Sequence, residues 1–217
     1  MVGHILHYHP AMLKLKEMVT EGVLGKVHYI YTNRLNIGKL RTEENILWSF
    51  APHDISAILD LIGEEPVRVS ATGEICLIRN IYDITLSNLE FKNWVRAHIL
   101  VSWLNPFKEQ KLVVIGSKCM AVFDDLSEDK LFLYDHQIQW KDGKIPVAHK
   151  AEARTIKVDH GEPLRLELQH FVDCINTRTN PRTDGEEGVR VLRILGKLEE
   201  SLKCEMGLPL QPENGGV

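Results

Sequence analysis

The stretch VRAHILVSWL, residues 95–104, decides how this chain folds, because its apolar side chains alternate without leaving either side of an extended backbone polar. Successive residues of a strand point to opposite faces, so Ala97, Ile99, Val101 and Trp103 share one face while His98, Leu100, Ser102 and Leu104 share the other. Helices can cover one face of a sheet. The second face, still partly apolar, then needs cover of its own, which favours association with another copy of the chain.

Working outward, the same texture recurs from Pro66 to about residue 158 in VRVSATGEICLI, DITLSNLEF, KLVVIG, MAVFDDL and KLFLYD. Turn signals separate these runs: Phe91 to Trp94, Gly116 to Lys118, and the Asp142-Gly143 pair. Strands joined so closely predict an antiparallel meander rather than βαβ units. Before them, VGHILHY reads as a buried strand ended by Pro10, and Met12, Leu15, Met18 and Val19 fall at helical spacing before Gly22. KVHYIYTNRLNIG is a second strand, followed by the polar loop KLRTEEN. From Asp54, the residues Ile55, Ile58, Leu59 and Ile62 predict a helix of about ten residues stopped by Gly63.

The end of the chain is helical. Pro163 suits a first turn, and Leu164, Leu168, Phe171, Val172 and Ile175 form one apolar stripe. Thr183 and Glu186 have capping-box spacing before a further stripe of Val191, Leu192, Leu195, Leu198 and Leu202, with a stop at Gly207 and a frayed tail. The expected fold is therefore α+β: one domain over residues 1–217, with a large, mostly antiparallel open β-sheet backed by helices on one face.

A net charge of −4, with no basic block among aromatic residues, argues against a nucleic-acid partner. No apolar run approaches the roughly 20 residues that span a bilayer. The start MVGHILHYHPAML lacks the pattern of a secretory signal, so the expected location is cytoplasmic. Cys76, Cys119, Cys174 and Cys204 are widely scattered, as buried reduced thiols would be.

The common phosphate-cradle and serine-nucleophile motifs, G-x-G-x-x-G, G-x-x-x-x-G-K-[ST] and G-x-S-x-G, do not occur. His4, His7 and His9 are close in sequence, but a strand would turn His4 away from the other two with no further ligand nearby, so no metal site is expected. His4 is instead a strand-end residue that would line a cleft. Asn33, Arg34, Asn36, Arg41 and Asn45 suit either a solvated loop or a phosphorylated, hydroxyl-rich ligand. His53, after the apolar approach Trp48-Ser49-Phe50-Ala51-Pro52, is either a residue of a helix cap beside Asp54 or an acid/base group near its working pH.

Taken in order, VGHILHYHPAMLKLKEMVTEGVLGKVHYI, APHDISAILDLIGEEPVRVSA, SWLNPFKEQKLVVIGSKCMAVFDD and EPLRLELQHFVDCI…TDGEEGVRVLRIL resemble the C-terminal domain of the glucose-fructose oxidoreductase, inositol dehydrogenase and MocA family of NAD(P)-dependent dehydrogenases. The segment YTNRLNIGKLRTEENILWSFAPHDIS is similar to the nucleotide-sugar branch, which oxidises the 3-hydroxyl of UDP-N-acetylglucosamine or its uronic acid. The resemblance implies that His53 moves the proton while hydride passes to NAD or NADP. It also makes Asn33, Arg34, Arg41, Asn45 and Trp48 expected substrate contacts, and places His4 toward the cofactor.

Two departures stand out. Many members carry an aspartate four residues before the histidine, where this chain has Ser49, and the family's Rossmann domain with its catalytic lysine would precede Val2. The expectation is a substrate-binding and oligomerising half, silent alone and completed by a Rossmann-domain partner in cis or in trans. The other reading, from a different class, is a non-catalytic oligomerisation or ligand-binding module left from a truncated dehydrogenase.

Overall fold

The helix expected at Asp54 begins two turns earlier. In the computed structural model, which describes residues 1–142 and 144–205, helix α2 runs Ile46–Ile62 and contains Pro52 in its interior. Asn45 is its N-cap, its side chain accepting a hydrogen bond from the Trp48 N–H at 3.2 Å, and Gly63 ends it at φ 79°. Proline was a poor boundary marker here because it removes only one intrahelical hydrogen bond, to the carbonyl of Trp48, while the apolar face continues on both sides of it. His53 and Asp54 consequently lie in mid-helix, neither at a cap nor in a first turn.

The expected opening strand is also absent. Ile5–Tyr8 forms a 3-10 turn, with the His7 N–H bonded to the His4 carbonyl. Among the described residues no strand lies alongside to pair with this segment, so its backbone closes on itself, and His9 then caps helix α1, Pro10–Thr20, by accepting from the Ala11 N–H. Helices α3, Pro163–Thr177, and α4, Gly185–Glu205, close the described chain.

Strand β1, Val27–Leu35, sits near the middle of an eight-stranded sheet. It separates two antiparallel meanders: β2 (Arg68–Glu74), β3 (Ile84–Glu90) and β4 (Arg96–Ser102) on one side, and β5 (Glu109–Gly116), β6 (Met120–Asp124) and β7 (Leu131–Tyr134) on the other. β1 runs parallel to β4, with Ile30 opposite Ala97, and antiparallel to β5, with Ile30 opposite Val114. The single meander expected from the turn signals is thus split by a strand from much earlier in the chain. Strands β8 (Gln137–Lys141) and β9 (Ile145–His149) form a separate ribbon, and β10 (Ala153–Thr155) pairs with β7 at the sheet edge. Gly143 of the expected Asp-Gly turn, the stop at Gly207 and the tail lie outside the described residues.

The alternation of residues 95–104 is realised. Ala97, Ile99, Val101 and Trp103 are buried beneath the helices, whereas His98 and Leu100 are half-buried on the open face. Ile55 and Ile58 of α2 and Leu195, Leu198 and Leu202 of α4 pack into the same core. Complete burial of each such side chain is worth about 1.5–3 kcal/mol, so helix-to-sheet packing sets the attitude of α2 and hence of His53.

Helix α3 departs from expectation. Leu164, Leu168, Phe171, Val172 and Ile175, the stripe expected to face the core, are all exposed, while Glu167 and Cys174 on the other side are buried. Of the cysteines expected to be buried, Cys119 and Cys174 are, whereas Cys76 and Cys204 are exposed; all four are free thiols. No helix among the described residues is long and apolar enough to cross a membrane.

Candidate active site around His53

His4, just before the 3-10 turn, stands beside His53 of α2, and the N-terminal end of α4 reaches His4 and Ser56 through Glu187. The start of the chain is pinned by the Val2 N–H, which donates to the Thr183 carbonyl at 2.8 Å, and by the Thr183 hydroxyl, which donates to the Val2 carbonyl at 2.7 Å. Thr183 is therefore a clasp for the chain start. The expected Thr183–Glu186 capping box shifts by one residue: Asp184 accepts from the Glu187 N–H at 2.9 Å, leaving the Glu187 side chain free to turn inward.

The Glu187 side chain orders the local histidines. Its Oε2 meets His4 Nδ1 at 2.6 Å, and its Oε1 accepts from the Ser56 hydroxyl at 2.5 Å. Ser56 Oγ in turn lies 2.7 Å from His7 Nε2. Burial pushes the Glu187 carboxyl up, but the hydrogen bonds from His4 and Ser56 and the charges of His4 and His7 outweigh it, so its pKa is lowered. The carboxylate is thus the anion of this cluster. His9 belongs elsewhere, between the α1 cap and Asp125 at 3.4 Å.

His53 itself is half-buried, with its Nδ1 enclosed and without a hydrogen-bond partner. Ser49, one helical turn earlier, likewise buries an unpartnered hydroxyl. The His4 ring stands edge-on to His53, with centroids 6.0 Å apart. Burial lowers the His53 pKa, and Arg34 and His4 add to the effect against the opposing charge of Asp54. A neutral imidazole results near pH 7, the form that can accept a proton.

The other sequence candidates are dispersed over different partners. Arg34 on β1 forms a two-pronged pair with Asp54, Nε to Oδ2 at 2.7 Å and Nη2 to Oδ1 at 3.1 Å, which ties α2 to the sheet directly beside His53. Asn33 donates to Glu109 at 2.7 Å, and Asn45 is occupied as the α2 cap. Trp48 packs partly buried against the core, while Arg41 extends from the exposed loop and pairs with Glu44 at 2.9 Å. Sequence reasoning missed Glu187 and Ser56. The sequence signal for Ser56 is the spacing of Ser49, His53, Ser56 and Asp60, a polar stripe along one face of an otherwise apolar helix; Glu187 has no such signal.

Acid sensitivity follows from the buried imidazoles. The pKa values of His7 and His53 lie below the ordinary 6.5, chiefly through burial. Above pH 6.5 these histidines are neutral folded or unfolded; below it the unfolded chain takes up protons that the fold resists. Stability should therefore fall between pH 7 and pH 5.5, with a slope of up to about 1.4 kcal/mol per pH unit for each proton withheld. Glu167, its carboxyl pushed up by burial, acts in the opposite sense over its own range. Urea midpoints measured across this interval should decline, more shallowly in His53→Gln; a flat profile would contradict the burial argument.

The fold and the sequence agree with known proteins. The chain is 23% identical to UDP-N-acetylglucosamine 3-dehydrogenase of Acidithiobacillus ferrooxidans, over 88% of its own length and 58% of that enzyme. It is 20% identical to an NADP-dependent D-xylose 1-dehydrogenase of Haloarcula marismortui, over 94% of its own length and 58% of that enzyme. The solved structure of the Acidithiobacillus enzyme superposes with a TM-score of 0.76 at 22% identity, covering 93% of this chain and 62% of that one. Aldose-aldose oxidoreductase from Caulobacter crescentus gives a TM-score of 0.74 at 19% identity, covering 94% and 62%. The chain thus spans about three fifths of the length of these relatives. Residues 12–122 match the GFO/IDH/MocA C-terminal domain, and the chain belongs to that family.

Proposed function

We propose that this chain is the substrate-binding and oligomerising part, a single domain, of an NAD(P)-dependent oxidoreductase that oxidises a sugar or nucleotide-sugar hydroxyl in the cytoplasm. The 3-hydroxyl of a UDP-N-acetylglucosamine-type substrate is the candidate position. The observation that carries this reading is the neutral, half-buried imidazole of His53, set edge-on to the ring of His4, which Glu187 in turn holds. Oxidising CH–OH to C=O releases a hydride and a proton; His53 takes the proton from the hydroxyl. When bound, NAD or NADP supplies the hydride acceptor.

The dinucleotide itself does not fit the residues present. None of the four described helices follows a strand through a glycine-rich turn, the cradle a pyrophosphate needs. A separate Rossmann domain, in cis or in trans, would hold it, with His4 toward the cofactor. The exposed apolar face of α3, Leu164, Leu168, Phe171, Val172 and Ile175, supports docking of such a domain, since these relatives are longer than this chain. Alone, the chain would turn nothing over.

Arg41 and Trp48 remain the available ligand contacts in the segment entering α2. Arg41, in the loop that precedes the helix, would suit an anionic end of the ligand and His53 its sugar hydroxyl. On the open sheet face, Tyr31 stacks on His98 at 5.3 Å among half-exposed Leu100, Ile115, Met120, Val122 and Phe132. This face supports a homo-oligomer. It also favours the second reading, an oligomerisation module without catalysis.

Calorimetric titration separates the two. Under the first reading the chain binds UDP-N-acetylglucosamine, more weakly in His53→Ala and Arg41→Ala, and gives no heat with NAD; a folded oligomer silent toward both ligands would leave the second.

A further inference from the structure

Beyond His53, helix α2 leads to a polar cavity. It is open, holds about 500 Å³, and lies between the C-terminal half of α2, α1 and the start of α4, with His7, Lys16, Asp60, Glu64 and Arg190 on its wall. Neither His53 nor His4 lines it, so it is separate from the candidate active site.

One hydrogen-bonding group of the wall has a fixed role. His7 is only 6% exposed. The single hydrogen of the Ser56 hydroxyl is given to Glu187, so His7 Nε2 carries a hydrogen and donates it to Ser56 Oγ. Burial lowers the His7 pKa and keeps the ring neutral near pH 7, which leaves Nδ1 a bare acceptor. That nitrogen is buried without a hydrogen-bond partner. Asp60, 3.8 Å away, has no hydrogen to offer as a carboxylate and is paired with Lys16.

Two full charges on the same wall are also uncommitted. Glu64 Oε1 is buried and unpartnered, and neither Glu64 nor Arg190 has an ion pair among the described residues. The other charges are taken. Lys16 is held by Asp60, Glu65 by Arg193, and Glu187 by His4 and Ser56, while Arg182 donates to the His7 carbonyl and lies over the Tyr8 ring. A bare imidazole nitrogen and a carboxylate call for hydrogen-bond donors, best of all a positive one, whereas a guanidinium calls for an anion with two oxygens. Enclosed polar groups left without partners are costly, and a ligand that supplies those partners removes the cost.

We propose that this cavity binds a small amino acid, whose ammonium group donates to His7 Nδ1 and Glu64 and whose carboxylate is held by the Arg190 guanidinium. A wholly anionic ligand would meet Glu64, Asp60 and a nitrogen lone pair; a wholly cationic one would meet Lys16 and Arg190. A neutral polyol would satisfy the hydrogen bonds but leave both charges unmatched. Arg190 is exposed and unpaired, so its long side chain is free to close over a carboxylate. The site asks nothing of the reading of His53.

Nitrogen-15 spectra of the imidazoles in the full chain, at neutral pH, test the site. Without ligand, His7 should be protonated at Nε2 and bare at Nδ1. Adding L-alanine or 4-aminobutanoate, which place the two charges close together or far apart, should shift the His7 Nδ1 signal as it gains a donor. Calorimetry of the same titration should return a matching Kd. Acetate, ethylammonium and glycerol, which carry one charge or none, should bind at least about tenfold more weakly. Arg190→Ala and Glu64→Gln, at positions outside the core, should leave the urea midpoint in place and weaken binding by about 10- to 100-fold each, the worth of a hydrogen bond to a charged group. A His7 signal unmoved by both amino acids, as a nitrogen satisfied by water alone would behave, would overturn the proposal. So would equal binding of glycerol, or binding indifferent to both substitutions. None of these probes is a sugar nucleotide, so either outcome stands apart from the calorimetric test of the substrate reading.

Discussion

Replacing Arg34 with alanine is expected to lower stability toward urea by about 3–5 kcal/mol, a large fraction of the total for a domain of this kind. Asp54 is 3% exposed, and its carboxylate is met by both Nε and Nη2 of Arg34. Without the guanidinium, a charge remains enclosed between α2 and the sheet with nothing to compensate it. Arg34→Lys should recover only part of the loss, since an ammonium cannot reproduce the two-pronged geometry. Removing both charges together, as Arg34→Met with Asp54→Leu, should cost less than Arg34→Ala alone. Arg41→Ala, at an exposed ion pair, should stay within about 0.5 kcal/mol. Equilibrium unfolding of these four variants checks the set. A loss below about 1 kcal/mol in Arg34→Ala would mean that Asp54 is solvated or protonated at little cost, and that the pair does not set the position of α2.

The second large effect is on chemistry and follows from the proposed function. Joined to the Rossmann half that the family resemblance implies, the chain carrying His53→Gln should turn over about 100 to 10,000 times more slowly at saturating sugar substrate, the usual worth of a positioned acid/base group. The loss belongs in kcat rather than KM, because glutamine keeps hydrogen-bonding capacity but cannot take a proton. The direction of the His53 shift fixes the pH dependence. With a pKa below 6.5, the imidazole is already neutral at pH 7, so the unaltered enzyme should lose activity only on acidification through that lowered value, and His53→Gln should lack this acidic limb. An acidic limb that survives the substitution would assign the proton transfer to another group.

Helix α2 shows how much could be read locally and where local reading stopped. The residues Ile55, Ile58, Leu59 and Ile62 marked a helix and Gly63 its end, because both depend on side chains a few positions apart. Its true start was harder to see, since the Asn45 cap lies behind a proline that usually ends such patterns. Helix α3 teaches the converse: its apolar stripe is present, but periodicity records which residues share a face and not what that face meets. For VGHILHY, apolar content suggested a strand, yet no partner strand lies alongside among the described residues.

Composition, period and turn residues, acting over a few positions, determined the α+β class, most of the strands, the two-faced character of residues 95–104, and the presence of a histidine on an apolar helix. Only the tertiary structure decided that β1 divides the sheet, that Asp54 is matched by Arg34 rather than by a helix end, and that His4 meets Glu187 across 183 residues of chain. The reason is physical: a buried charge or an unpaired strand edge must be satisfied by whatever group packing brings to it, and that group is set by the assembly of the whole core rather than by its neighbours in sequence.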